Sequence, residues 1–478
     1  MSEEVRPAWW KPWKWSSTTG WLLLLAFVMV LPFGVRAWFL WQVPDVGEPF
    51  EVREFYPDDL PAEQNAFTHY QAANQKFHDV RVEWAKAGRT RTLKDLTFAH
   101  VFAEGLPVLT ETELEWLTDQ RGTLDEWRLG ADLPQAQAFT LAETGLGTLL
   151  PVHNDARTLI PLAKIEALRC EASGDVQAAW GWHRATCRFC RHLNSHGGIV
   201  QRTIGTHAHA MATEGIAAWA GHPLVTAEQL REALSHVRTE YAMNPPLSET
   251  LKVDHLFYLR GFSSNSWTKS DQGVFNNRPK WEESVAVLRR PALWVVGEPE
   301  LYLRLSRQVL LNQLNEIDKP LAQRRSVVGK TQFLFDPDPA VGLKPRQLGP
   351  AAIESAHHVS VLRHLIGTFI SVKRLDDAVW NERARQAALE VTLAAQMFRR
   401  DKGEFPESLD QLVPEDLEAV PLDPCDLNGG QLRYRRDDPN KAVVWSLGRD
   451  GNDDGGEVAM QNGVSADVGF VLKGGELK

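Results

Sequence analysis

The sequence predicts a mainly α chain in three parts: a single N-terminal transmembrane helix, a helical-hairpin body, and a small C-terminal α+β domain. Three observations carry this. Charge is absent from Ser16 to Val35. A helical period dominates from about residue 61 to residue 401. The segment 401–478 holds 17 acids against 8 bases, whereas the chain before it is nearly neutral. The expected boundaries are 1–45 for a short stub and anchor, 46–350 for the helical body, and 351–478 for a long helix with the α+β domain.

The anchor comes first. Gly20 to Val35 is apolar throughout, and Arg36 is followed by Ala37-Trp38-Phe39-Leu40-Trp41. A helix over 18–41 would be roughly 36 Å long at 1.5 Å per residue, enough to cross a bilayer. Seven of the 18 Trp lie at or before Trp41, bracketing this run at both interfaces. No Ala-x-Ala-like cleavage site follows it, so an uncleaved anchor is expected rather than a signal peptide. Arg6, Lys11 and Lys14 precede the span, while Asp45, Glu48, Glu51, Glu54, Asp58 and Asp59 follow it. The positive-inside rule then puts the N-terminus in the cytoplasm and the bulk of the chain outside.

Helix punctuation is clearest from 155 to 243. Ala156–Ala172 ends at Ser173-Gly174, and Asp175 caps Val176–Leu193. Ile199–Ala220 stops at Gly221-His222-Pro223. Thr226 with Gln229 forms a capping box for a fourth helix, to about Met243. Short turns between such helices predict antiparallel hairpins, without a 34-residue repeat. Leu301–Asn315 and Ala351–Arg400 read as further helices, and Asp336-Pro337-Asp338-Pro339 as a loop.

Composition excludes more than it names. The formal charge of −10 argues against a nucleic-acid partner, which needs a basic face. Four cysteines are too few for a disulfide framework in 478 residues. No His-Glu-x-x-His, Gly-x-Ser-x-Gly or complete Walker motif occurs; Val328-Gly329-Lys330-Thr331 lacks the first Walker glycine. His183, Cys187 and Cys190 share one helical face at i, i+4 and i+7, a spacing that soft zinc ligands could use. The competing reading is that both thiols are small buried apolar groups.

Asp450-Gly451-Asn452-Asp453-Asp454-Gly455 matches the opening D-x-[DN]-x-[DN]-G of a calcium loop. Its hard oxygens at alternate positions are Asp450, Asn452 and Asp454. Position 12 is Gln461 rather than Glu, so the loop is not an EF-hand.

The surrounding order of motifs is informative. Gly403-Glu404-Phe405-Pro406, Leu409 and Leu412, Pro421-Leu422-Asp423-Pro424, Ser446-Leu447-Gly448-Arg449-Asp450-Gly451, Gly455-Gly456 and Ala466-Asp467-Val468-Gly469 follow one another. Residues 385–470 thereby resemble the globular part of the major pseudopilins of type II secretion. The resemblance implies a helix on a small antiparallel sheet and a calcium ion in the last loop. It puts the Leu447 backbone carbonyl and Asp467 among the ligands. The chain departs from that family in having Leu25 where the family has Glu, and in placing a long helical body between span and domain. The whole arrangement also resembles membrane-anchored proteins of large-genome bacteria such as planctomycetes, which supplies no activity.

The expected function is therefore a non-catalytic scaffold or interaction module of the cell envelope. Its partners would be the membrane, through the N-terminal helix, and envelope proteins. An envelope metal-dependent hydrolase using the His/Cys cluster and a pseudopilin-related secretion component are the alternatives.

Overall fold

The computed structural model describes residues 17–42, 45–51, 59–89, 106–138, 151–263, 294–295, 297, 300–324, 360–458 and 467–474. The sequence readings at 6–14, 54–58, 328–331, 336–339 and 351–359 lie outside them. The chain divides into two compact units: Met1–Val52 with Gly261–Gln313 and Thr331–Phe369, and Arg53–Arg260 with Leu314–Lys330 and Ile370–Lys478.

In the first unit, α1 spans Ser17–Gln42. Its stretch Thr18–Trp41 is long and apolar enough to cross a membrane, and none of its most apolar window is buried. Trp21, Phe27 and Met29 are 60–70 % exposed. A bare helix of this kind would be an aggregation hazard in water. Pro32 lies inside α1, a position tolerated in membrane helices when the freed backbone groups are satisfied locally.

The second unit is mostly helical. In chain order its helices begin with α2 (Ala66–Lys86), α3 (Glu111–Asp119), α4 (Arg121–Asp132) and α5 (Pro151–Ala172). Next come α6 (Val176–Asn194), α7 (Ile199–Ala220), α8 (Ala227–Ala242) and α9 (Leu247–Ser263). Helix α10 (Glu300–Glu316) belongs to this unit in its last residues only, and α11 (Ser360–Lys402) from Ile370 onward. Local chemistry sets several starts. Asp175 accepts the Ala178 amide at 2.9 Å. Thr226 and Gln229 exchange side-chain and backbone bonds at 3.2 and 2.9 Å, the expected capping box. Thr110 and Glu113 form a second one at the head of α3.

Two apolar cores organise this unit. The first joins α2–α7 around Phe67, Phe77, Trp116, Trp127, Leu159 and Phe189. The second joins α6, α7 and α8 to α11 and to a three-stranded sheet, around Trp180, Trp219, Leu230, Leu393, Phe405 and Val444. Trp180 and Trp219 stack there with ring centres 5.0 Å apart. The sheet is antiparallel in the order β1 (Arg433–Asp438), β2 (Lys441–Ser446), β3 (Val468–Lys473). Ala442 and Val444 on β2 and Phe470 and Leu472 on β3 alternate into the shared core. Sequence segments on both sides of residue 350 thus fold around one apolar interior. Outside α1, Trp84, Trp116, Trp127, Trp180, Trp182, Trp219, Trp380 and Trp445 are all buried, so the Trp excess also builds the cores.

Arg400 ties α11 to the end of α7. Its Nε donates to the Val225 carbonyl at 2.8 Å, and its Nη2 to the His222 carbonyl at 2.7 Å. The guanidinium thereby braces the turn between α7 and α8, where the His222 carbonyl also accepts the Val225 amide at 3.1 Å.

Candidate functional site

The acidic loop leaves β2 at Leu447 and returns to β3 at Asp467. Gly448 and Gly451 have φ of +65° and +73°, and Gly455 and Gly456 of +75° and +83°. Glycine is the residue that adopts these angles without Cβ strain, so the run can turn tightly.

Leu447 is buried, and its amide donates to Asp423 Oδ2 at 3.0 Å. Asp450, Asn452 and Asp454 are exposed. Asp450 accepts the Asn452 amide at 3.1 Å and the Asn452 Nδ2 at 3.2 Å, closing a local turn. Asp467 is fully buried and accepts the Gly456 amide at 2.8 Å. Burial raises its carboxyl above the usual carboxylate range. The Gly456 and Asp454 amides oppose that rise, while the Asp453 and Asp454 charges add to it. Asp453, which was not among the expected ligands, accepts Trp445 Nε1 and the Gly455 amide, both at 3.0 Å.

Among the described residues, no group of three or more His, Cys, Asp or Glu side chains stands together as a ready metal cage. Residues 459–466, within this loop, lie outside the described set. The donor chemistry nevertheless suits a hard cation: the oxygens are carboxylate, amide and backbone carbonyl, and Asp467 faces two like charges that a divalent ion would offset.

Two loop-anchoring residues were not singled out as functional by sequence. Asp423, with no side-chain exposure, accepts from the Cys425 amide at 2.9 Å, Ser446 Oγ at 2.6 Å, the Leu447 amide at 3.0 Å and Arg433 Nη1 at 3.3 Å. Its place between Pro421 and Pro424 was the available signal. Arg449 pairs through Nε with Asp377 of α11 at 2.7 Å. Beside it Asp376 holds Arg324 by two bonds of 2.7 and 3.0 Å and accepts Trp380 Nε1 at 3.1 Å. These contacts fix the loop's first stem to α11.

The His/Cys face resolves differently. Cys190 lies in the first core and Cys187 packs against both cores. Burial pushes the Cys187 thiol up to about 12 and the Cys190 thiol well above its usual value, so neither is a ready thiolate ligand. His183 Nε2 instead meets Glu171 Oε1 at 3.2 Å. His192, wholly buried, sits 2.7 Å from the Tyr70 hydroxyl.

A groove of about 380 Å³ on α1, lined among the described residues by Phe27, Val30, Leu31, Gly34, Val35 and Trp38, is almost wholly apolar. Among the described residues, none of its lining side chains is an acid, base or nucleophile. In comparison with known proteins, no family model, no curated protein and no solved structure matches this chain.

Proposed function

We propose that the protein is a membrane-anchored scaffold or interaction module of the cell envelope, with a C-terminal domain stabilised by calcium. The observation that carries this reading is α1: an apolar helix of membrane-spanning length with no buried residue in its most apolar window. Burial in lipid is the physical remedy for such a surface. The charge asymmetry across α1 supports a cytoplasmic N-terminus with the body outside.

The helical part acts as a rigid platform of hairpins, and its charged residues support a structural role. Arg188 and Arg191 are both spent on Glu240, at 2.9 and 2.8 Å, and Arg238 on Glu390 at 2.8 Å. Cys187 and Cys190 contribute to packing, which disfavours the hydrolase alternative. The antiparallel sheet after a long helix supports the pseudopilin-like reading of the last domain. There the Leu447 carbonyl, Asp450, Asn452, Asp454 and Asp467 would hold calcium. The ion would close the long loop between Leu447 and Asp467, which contains little apolar material.

The test uses the full chain purified in detergent. Calcium should raise its melting temperature, chelator should reverse the rise, and Asp467→Asn should abolish it. No bound calcium by elemental analysis and an unchanged melting temperature would remove the ion from the reading. Extraction of the native chain by alkaline carbonate would remove the anchor.

A further inference from the structure

Within the first unit the exit end of α1 is gripped by side chains from residues 294–307. Arg36 donates to the Trp294 carbonyl at 2.6 Å, pairs with Glu300 at 3.4 Å, and lies over the Trp294 ring at 4.9 Å. Phe33 meets the same ring edge-on, with centres 5.1 Å apart. Arg304 donates to the Leu40 carbonyl at 3.0 Å and also pairs with Glu300. Beyond the helix, Arg307 holds Asp45 at 3.1 Å and pairs with Glu48.

These contacts follow from two needs. Leu40 lies in the last turn of α1, where carbonyls have no partner within the helix. A cation aimed there also meets the negative end of the helix dipole. Arg36 is the one charge inside α1. Left in hydrocarbon it would be an unpaired charge, which membrane helices avoid. Glu300 and the Trp294 carbonyl give it partners instead.

We infer that α1 remains in the mature chain, clasped at Arg36 and Leu40 by Glu300 and Arg304, and that the outer membrane surface lies at Arg36 rather than at Trp41. This rests on the reading of α1 as a membrane span. A segment removed at export could not serve as half of a folded clasp. A signal-peptide cleavage site also calls for small residues, whereas Trp38, Phe39, Leu40 and Trp41 stand in the helical exit end of α1. The lengths agree: the stretch 18–35 spans roughly 27 Å, close to the ~30 Å hydrocarbon core, whereas Thr18–Trp41 would overshoot it. The last two turns of α1, Trp294 and the first turns of α10 then form a collar at headgroup level. Among the described residues, the clasp's three arginines pair with Glu300, Asp45 and Glu48.

The experiment uses the full chain in bacterial membranes. Phe33→Cys with Trp294→Cys is bridged in place with a short bis-maleimide and the linked peptides are sought by mass spectrometry, alongside the intact mass of the native chain. The expected result is a carbonate-resistant chain that keeps residues 17–42 and forms the 33–294 link. In parallel, Arg304→Ala should speed amide exchange over 37–48 by about tenfold, the loss of one charge-assisted hydrogen bond. A native chain beginning after Arg36 overturns the inference, as does an intact, membrane-embedded chain with neither the link nor the exchange difference. A chain that forms the link yet is released by carbonate keeps the clasp and overturns the membrane reading on which the surface position depends.

Discussion

Arg202 on α7 and Glu382 on α11 meet at 3.0 Å, with side chains only 3 % and 0 % exposed. Arg202 Nε and Nη1 and Glu382 Oε1 have no further partner among the described residues. Two charges have been taken out of water for one contact, so the pair fixes how α11 registers on α7 more than it stabilises the fold.

Removing one partner leaves the other buried and uncompensated. Glu382→Ala should therefore cost about 3–5 kcal/mol in urea unfolding of the detergent-solubilised chain. Arg202→Met combined with Glu382→Leu should recover most of that loss. A double variant as unstable as Glu382→Ala would contradict the assignment.

Acid should unfold the second unit. Burial pulls His153 down to about 4 and His192 to about 3, so both are neutral in the folded chain at neutral pH. Unfolded histidines take up protons near pH 6.5. Between about 6.5 and about 4 the unfolded state binds more protons, and stability falls as pH falls. Asp254 works in the opposite direction, because burial raises its carboxyl to about 7. Its unfavourable effect grows as pH rises from the usual carboxylate value through about 7. Asp254→Asn should thus melt higher than the parent above pH 7, with the advantage fading toward pH 4. An advantage independent of pH would rule out the carboxylate as its cause.

Asp423 collects four donors from three separate stretches of chain. Asparagine keeps one acceptor oxygen and turns an NH₂ toward donors. Asp423→Asn should cost about 2–3 kcal/mol and loosen the stem of the acidic loop. The melting temperature and amide exchange over 445–449 report both effects, and unchanged exchange would remove Asp423 as the pin.

Cys187, Cys190 and Cys425 should resist alkylation in the folded chain. Burial raises all three thiols, Cys187 and Cys425 to about 12. Mass spectrometry after maleimide treatment should show them unmodified at neutral pH and modified in urea. Rapid labelling of Cys187 and Cys190 in the native chain would reopen their use as ligands.

The parts of the fold legible in the sequence are those decided within a few residues. Asp175, the Thr226–Gln229 box and the Gly221-His222-Pro223 stop each act within one helical turn. The observed Val176–Asn194, Ile199–Ala220 and Ala227–Ala242 accordingly lie close to the expected bounds. The acidic loop was legible as a run of oxygens and glycines. Its supports were not, because Asp423, Asp377 and Arg449 acquire meaning only when remote segments meet. Asn65 shows the same limit: it caps α2 locally, yet also exchanges two hydrogen bonds with the backbone of Gln137, 72 residues away.

By itself the sequence determined an apolar N-terminal segment of membrane-spanning length, a mostly helical chain and an acidic terminal segment, since hydropathy, period and charge are properties of neighbouring residues. Tertiary structure decided which polar groups are structural. Cys187-Arg188-Phe189-Cys190 has a metal-like spacing, but packing among α5, α6 and α7 turns both thiols into core atoms. Tyr70 and His192 are 122 residues apart and touch. The terminal sheet shares its interior with helices from much earlier in the chain because Val444, Phe470, Trp219 and Leu230 bury more apolar surface together than either segment could alone.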